Sequence, residues 1–289
     1  ASEKLGIPFV FEVRDLWPEI IFALGALKNP LIKWYLNKME LSIYFAAKHI
    51  IALSPGIVDG INKRGYPRQN ITMIPNFADT ELFSPSNKKS CHKSTYYSKR
   101  KINFVFAGTH GYANGLDAVL DGILVLKNRK FAEAHFIFIG DGSQKMRLIE
   151  RSKAESLDKY ITWTGLLKKV MLASILPSMD VGLMILANVP GFYYGTSPNK
   201  FFDYIACGLP ILCNYPGWIS DIITFNKCGI SCEPNNPIDF ADKIEYLCDA
   251  EQARKALSVA ARKLAENEFS KEILAQKLVA TLELEGVRR

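Results

Sequence analysis

The chain has 289 residues, of which 48% are apolar and 22% charged, and its formal net charge is +7. That length suits about two domains with sizeable cores, and the composition excludes a disordered chain. No apolar run approaches the roughly 18–20 residues of a membrane-spanning helix, no secretory leader is read at the start, and the positive balance favours an anionic partner.

Nucleic acid is not the expected anion, because no aromatic–basic signature accompanies the charge. The cysteines are Cys91, Cys207, Cys213, Cys228, Cys232 and Cys248. Only Cys228 and Cys232 lie close together, and no second pair completes a zinc set. Most sit in apolar patterns, as free thiols do in a reducing cytoplasm.

Short apolar runs alternate with longer amphipathic ones, the rhythm of α/β folds with parallel sheets. "IPFVFEV" (Ile7–Val13) predicts a strand. It ends in "VRDLWPE", which puts Arg14 and Asp15 at a strand end before a helix opened by Pro18. Asn29–His49 has helical spacing behind Pro30. "HIIALS" and "NITMIP" predict strands flanking a short helix in "PGIVDGINKRG". Asn76–Lys101 is polar, basic and aperiodic, as a linker or surface loop would be.

A second series follows, with strands expected at "INFVFAG", "AHFIFIG", "ITWTG", "DVGLMIL", "PILCN" and "GISCE". Helices fit near Gly115–Lys127, Gln144–Ser156, Leu167–Leu176, Pro198–Cys207, Gly217–Thr224 and Pro237–Cys248, and "FSKEILAQKLVATLELEG" closes the chain as one more. Six strands with helices between them make a complete doubly wound unit. The first series supplies about half of one.

"GTSPNKFFDYIACGLP" (Gly195–Pro210) carries the most specific chemistry. Ser197 is a strong N-cap type and Pro198 suits the first helical position. Asn199 and Lys200 then stand beside free backbone N–H groups at a positive helix end, a site suited to a diphosphate. Asp203, at i+3 from Lys200, is expected on the same side, one turn beyond, where a carboxylate can take a ribose diol. The alternative is a capped core helix with a Lys200–Asp203 ion pair. Two further loops follow strands. "FAGTHGYANGLD" offers Gly108, Thr109 and Gly111 to a phosphate, or is a turn needing glycine. His110 stands in that loop, facing a ligand or solvent. "FIGDGSQ" lacks the third glycine of a dinucleotide fingerprint, so no nicotinamide is inferred. No Asp-x-Asp occurs, so neither a metal nor another cofactor is expected.

"SPNKFFDYIACGLPIL" resembles the donor segment of family-4 retaining glycosyltransferases, of the branch that builds bacterial O-antigen and capsule. "FEVRDLWPE", "IIALSPGIVDGINKRG", "ITMIPNFADTELFSP", "FVFAGTHGYANGLDAVL", "HFIFIGDGSQKMRL" and "ITWTGLL" follow in the family's order over nearly the whole chain. The resemblance implies an α/β GT-B fold of two Rossmann-like domains. Residues 1–84 would be a partial acceptor-side domain lacking its first part, 85–268 the nucleotide-sugar domain, and 269–289 a helix crossing back.

It further implies that Lys200 holds the diphosphate of a UDP-sugar, helped by Asn199 and Ser197, while Asp203 takes the ribose. Gly140 and Asp141 would line the nucleotide cleft, and Gly165 and Leu166 would meet the base. Asp15 is the base candidate, although the family's same-face displacement lets the leaving diphosphate take the acceptor proton. Gly195 replaces the first acid of the family's Glu-x7-Glu pattern, and Ala113 and Asn114 stand where many relatives carry Arg or Lys.

The expected function is transfer of a sugar, such as an N-acetylated hexosamine, to a polyprenyl-diphosphate-linked glycan. The enzyme would be cytoplasmic, with the Lys- and aromatic-rich helix after Asn29 touching the inner membrane face or simply packed on the sheet. The alternatives are a GT-B sugar-nucleotide epimerase and a non-catalytic nucleotide-binding fragment. UDP-sugar turnover with acceptor separates the three.

Overall fold

The computed structural model describes residues 2–18, 29–85, 98 and 101–287. The helix expected from Pro18 lies outside them, as do Lys28, Cys91 and His92. The chain divides into two units: Ala1–Phe77 with Pro190–Pro198 and Lys271–Arg289, and Ala78–Val189 with Asn199–Ser270.

The first unit runs α1 (Ser2–Leu5), β1 (Val10–Val13), α2 (Pro30–Ala46), β2 (His49–Ala52), α3 (Pro55–Lys63) and β3 (Ile71–Met73). Its parallel sheet has the order β1-β2-β3. Caps set the helix starts. Asn29 Oδ1 accepts the N–H groups of Leu31 and Ile32 ahead of α2, and Ser54 Oγ accepts Ile57 N–H at 3.3 Å in α3. Apolar packing of Ile50, Ala52, Ile57 and Ile61 against Tyr44 makes the core.

The second unit contains β4 (Ile102–Ala107), α4 (Asp117–Asn128), β5 (Ala134–Ile139), α5 (Lys145–Ala154), β6 (Ile161–Trp163), α6 (Lys169–Ile175), β7 (Val181–Met184), α7 (Asn199–Ala206), β8 (Ile211–Cys213), α8 (Trp218–Phe225), β9 (Gly229–Ser231), α9 (Pro237–Asp249) and α10 (Glu251–Asn267). The last helix, α11 (Lys271–Val287), belongs to the first unit. All strand pairs are parallel, in the order β6-β5-β4-β7-β8-β9. β4 and β5 are apolar on both faces, as a sheet covered on both sides requires, and Phe104 stacks on Phe136 at 5.3 Å. After β6 the chain returns to the other side of β4, so β4 and β7 flank the topological switch point, where doubly wound sheets open a ligand crevice.

All nine expected strands are present among the described residues. The 17-residue α10 was not foreseen. Nor is the start of the Asn76–Lys101 segment a free linker. Ala78 and Phe83 are fully buried, and Arg262 of α10 donates to the carbonyls of Phe83 and Thr80 at 3.0 and 3.2 Å. The five described cysteines are free thiols, four of them buried. Among the described residues no helix is long and apolar enough to cross a membrane.

Candidate functional site

The site is organised by the way α7 docks beside the switch point. Pairing of β4 with β7 stops at Val105–Gly182, whereas β4 continues with β5 to Ala107. Tyr204 fills the divergence. Its hydroxyl accepts the Ala107 N–H at 2.7 Å and donates to the Val105 carbonyl at 3.2 Å. Its ring lies on Gly182, where an added Cβ would come within 2.5 Å of it. Phe201 and Phe202 are also fully buried, and Phe269 packs edge-on against both. The helix starts at Asn199 rather than Pro198, with its apolar face fixed to the sheet.

One turn before Tyr204, the Lys200 ammonium donates to Asn114 Oδ1 at 2.9 Å and lies 4.0 Å from the centroid of Phe106. Its stem rests on Gly108, where an added Cβ would meet Cε at 3.2 Å. No carboxylate is among these partners. The residue is half-buried, and burial pushes the ammonium down to about 7. Asn114 also donates to the Thr109 carbonyl at 2.7 Å, which ties the β4 loop around the lysine. Asn114 and Phe106 were not foreseen as site residues. The only signal for Asn114 was its place where many relatives carry a cation.

The loops after β4 and β5 are pressed together. Gly140 has φ +137°, and a Cβ there would sit 2.0 Å from the Gly108 carbonyl oxygen, so only glycine fits. His110 N–H donates to the Asp141 carbonyl at 2.8 Å, and Gln144 N–H donates to the His110 carbonyl at 2.9 Å. Lys145 donates to the carbonyls of Gly140 and Thr164 at 3.0 and 2.7 Å, linking the end of β6 to the same edge. Thr109, Asp141, Gly165 and Leu166 are exposed there, and Gly111 is half-buried. A cavity of about 450 Å³ adjoins this loop, lined by Gly111, Asp117, Asn188, Asn214, Asn236 and Phe240. It includes neither Lys200 nor Asp203.

One expectation is corrected. His110 faces neither ligand nor solvent: it is fully buried among Phe106, Phe138 and Trp163. Burial, with the Lys145 charge adding to it, lowers its pKa to about 4, and neither ring nitrogen has a hydrogen-bond partner among the described residues. Burial raises the Asp203 carboxyl to about 6, with Lys169 opposing and Asp79 adding to the rise. Lys169 opens α6, just after the Gly165–Leu166 turn. Asn199 is exposed at the helix start.

In the first unit, Asp15 follows β1 beside a cavity of about 350 Å³ lined by Phe11, Val13, Arg14, Met39 and Tyr44. The residue is exposed, but its carboxyl is recessed enough for desolvation to raise its pKa against the pull of Arg14. Arg14 pairs with Glu12 at 3.0 Å, and Trp17 is 60% exposed. Ser197 Oγ accepts the Asn76 N–H at 3.0 Å. Gly195 lies in the same segment.

The model of the family described as "Glycosyl transferases group 1" matches residues 101–250. The chain belongs to that family. The model of "Glycosyltransferase Family 4" matches residues 1–82 of this glycosyltransferase. "Probable glycosyltransferase WbjE" of Pseudomonas aeruginosa is 26% identical over 283 residues, covering 96% of this chain and 68% of WbjE. Anabaena HepE, solved in complex with UDP and glucose, superimposes with a TM-score of 0.78 at 15% identity, covering 98% of this chain and 73% of that one. WaaG, a glycosyltransferase involved in lipopolysaccharide biosynthesis, gives a TM-score of 0.71 at 10% identity, covering 94% and 74%. The fold of this glycosyltransferase is therefore GT-B.

Proposed function

We propose that this glycosyltransferase takes its sugar from a UDP-sugar, with Lys200 holding the donor diphosphate. The observation that carries the reading is the half-buried Lys200 ammonium beside the switch point, with an amide oxygen and an aromatic face as partners and no carboxylate partner among the described residues. A diphosphate supplies the charge that this ammonium lacks, and stabilising the leaving diphosphate is the main catalytic demand of the transfer. Asn199 and the α7 amides assist. Asp203 takes the ribose, and the Gly165–Leu166 turn takes the base. The UDP bound by HepE supports that choice of nucleotide.

Transfer proceeds with retention and without a metal. The bond from the anomeric carbon to the diphosphate oxygen breaks as the bond to the acceptor oxygen forms on the same face. The leaving diphosphate takes the acceptor proton, with Asp15 as the alternative base. The sugar is a hexose or N-acetylated hexosamine, and the acceptor is a lipid-linked glycan in surface polysaccharide assembly, a role supported by the likeness to WaaG. Contact with lipid is supported by the outer face of α2. There Leu31, Trp34, Tyr35 and Phe45 are exposed, and Lys38 lies 5.2 Å from the Trp34 ring centroid.

Calorimetry with UDP tests the donor site. Lys200→Ala is expected to weaken binding by about 1–3 kcal/mol, the range for a charge-assisted hydrogen bond. Unchanged affinity in a folded variant removes the assignment. Asp203→Asn is expected to harm UDP more than a nucleotide without ribose hydroxyls. Melting shifts with a panel of nucleotide-sugars then identify the donor.

A further inference from the structure

We propose that Asn114 is a positioning residue that holds the Lys200 ammonium for the donor diphosphate without neutralising it, a proposal that rests on the donor-site reading above. Asn114 is half-buried. Its side-chain amide donates to the Thr109 carbonyl at 2.7 Å, which leaves Oδ1 to accept from the Lys200 ammonium at 2.9 Å. The first bond fixes the second. An amide turned the other way would set its oxygen on a carbonyl and its NH2 on a cation. All of these residues belong to the second unit.

Asn114 is itself held from two sides. It closes the short helical turn Tyr112–Asn114, and its N–H donates to the Gly111 carbonyl at 3.1 Å. The segment after β7 grips that turn, where Ala187 N–H donates to the Ala113 carbonyl at 2.9 Å. Gly115 follows with φ +54°, and a Cβ there would come within 2.6 Å of Ala187 Cα. Facing the turn, Lys200 rides on a helix pinned to β4 through Tyr204, with the Phe106 ring 4.0 Å from its ammonium. Among the described residues, Asn114 is the one hydrogen-bond acceptor of that ammonium. An ammonium has three donors, so two stay available to phosphate oxygens. A carboxylate in the same place would hold the lysine but cancel the charge that a diphosphate needs. The titratable groups around it are His110 of the β4 loop, Lys145 of α5 and Asp203 of α7 itself. His110, lowered to about 4, is neutral near pH 7. Lys145 donates to the carbonyls of Gly140 and Thr164, and the Asp203 carboxyl answers to Lys169 and Asp79.

The test measures UDP-glucose affinity of the full chain by calorimetry across pH 6–9, in the wild type, Asn114→Asp and Asn114→Leu. Both variants are expected to bind about tenfold more weakly at pH 6.5, the scale of losing such a bond. The pH above which affinity falls is expected to move in opposite directions. Asn114→Asp sets an anion on the ammonium and raises that pH by about one unit or more. Asn114→Leu removes the acceptor of the charged form and lowers it. A merely structural residue would weaken binding without moving that pH. An unmoved pH in both variants therefore overturns the proposal, as does wild-type affinity in both. Should one variant fail to fold, the other decides alone by the same two readings. Adding Asn114→Leu to Lys200→Ala is expected to cost no further UDP affinity, because Asn114 acts through the lysine; losses that add fully overturn the proposal. If Lys200→Ala binds UDP like the wild type, the donor-site reading falls and this proposal with it. If Lys200→Ala weakens UDP and the Asn114 variants do not, the donor site stands and the positioning role is lost.

Discussion

The Tyr204 hydroxyl takes the Ala107 backbone N–H at 2.7 Å at the place where β4 and β7 part. It replaces a ladder partner that a diverging sheet cannot provide. Tyr204→Phe keeps the ring on Gly182 but leaves that N–H buried and unpaired. The expected cost is about 1–3 kcal/mol of stability, read as a lower urea midpoint at an unchanged slope. A wild-type midpoint contradicts this role.

Lys200 gives the donor site a pH dependence of definite sign. In the free protein the ammonium loses its proton above about 7, whereas bound diphosphate favours the charged form. UDP-glucose, whose esterified diphosphate keeps its charge in this range, is expected to bind with constant affinity below that pH. Above it, affinity weakens by up to about tenfold per pH unit. Lys200→Ala is expected to bind weakly with a flat profile. Calorimetry across pH 6–9 distinguishes the two, and a flat wild-type profile contradicts the assignment.

Asp203 acts on stability in the acid range. Its folded-state pKa is raised from 3.8 to about 6, so between those values the folded chain binds more protons than the unfolded one. Stability therefore falls as pH rises through that window. Asp203→Asn removes the group and is expected to melt higher than the wild type at pH 7, with a smaller difference at pH 4. An equal difference at both pH values contradicts this.

Among the described residues, neither nitrogen of His110 has a hydrogen-bond partner, and three aromatic rings surround it. His110→Phe fills the same space without polar atoms and is expected to raise stability by about 1 kcal/mol, leaving UDP affinity unchanged. Lower stability in a thermal melt points to a bridging group between His110 and Trp163, whose indole Nε1 is also buried without a partner.

The strands were legible because buried parallel strands are continuous apolar runs bounded by turns, as "INFVFAG" and "AHFIFIG" are. The helix α10 escaped because Ala250 alone separates it from α9, with no proline, glycine or capping side chain at its start. Lys200 was legible from type and position. Its partners were not, because helical spacing fixes where a Cβ stands, whereas a lysine's long stem follows what it packs on. Those partners, Phe106 and Asn114, are about 90 residues away in the sequence. His110 misled for a related reason: a glycine-rich loop signals exposure, but Phe106, Phe138 and Trp163 come from three strands whose adjacency only the sheet order reveals.

Arg262 gives the unforeseen helix α10 a bearing on substrate. Besides the carbonyls of Phe83 and Thr80, its guanidinium takes the carbonyl of Ala206, the last residue of α7. The partial negative charge of that end is already matched by a cation of the protein. The opposite end, at Asn199, has no acidic residue in its first turn. Selection on anion affinity can therefore act at two distant places: on the lysine that meets the phosphates, and on an arginine that never touches them.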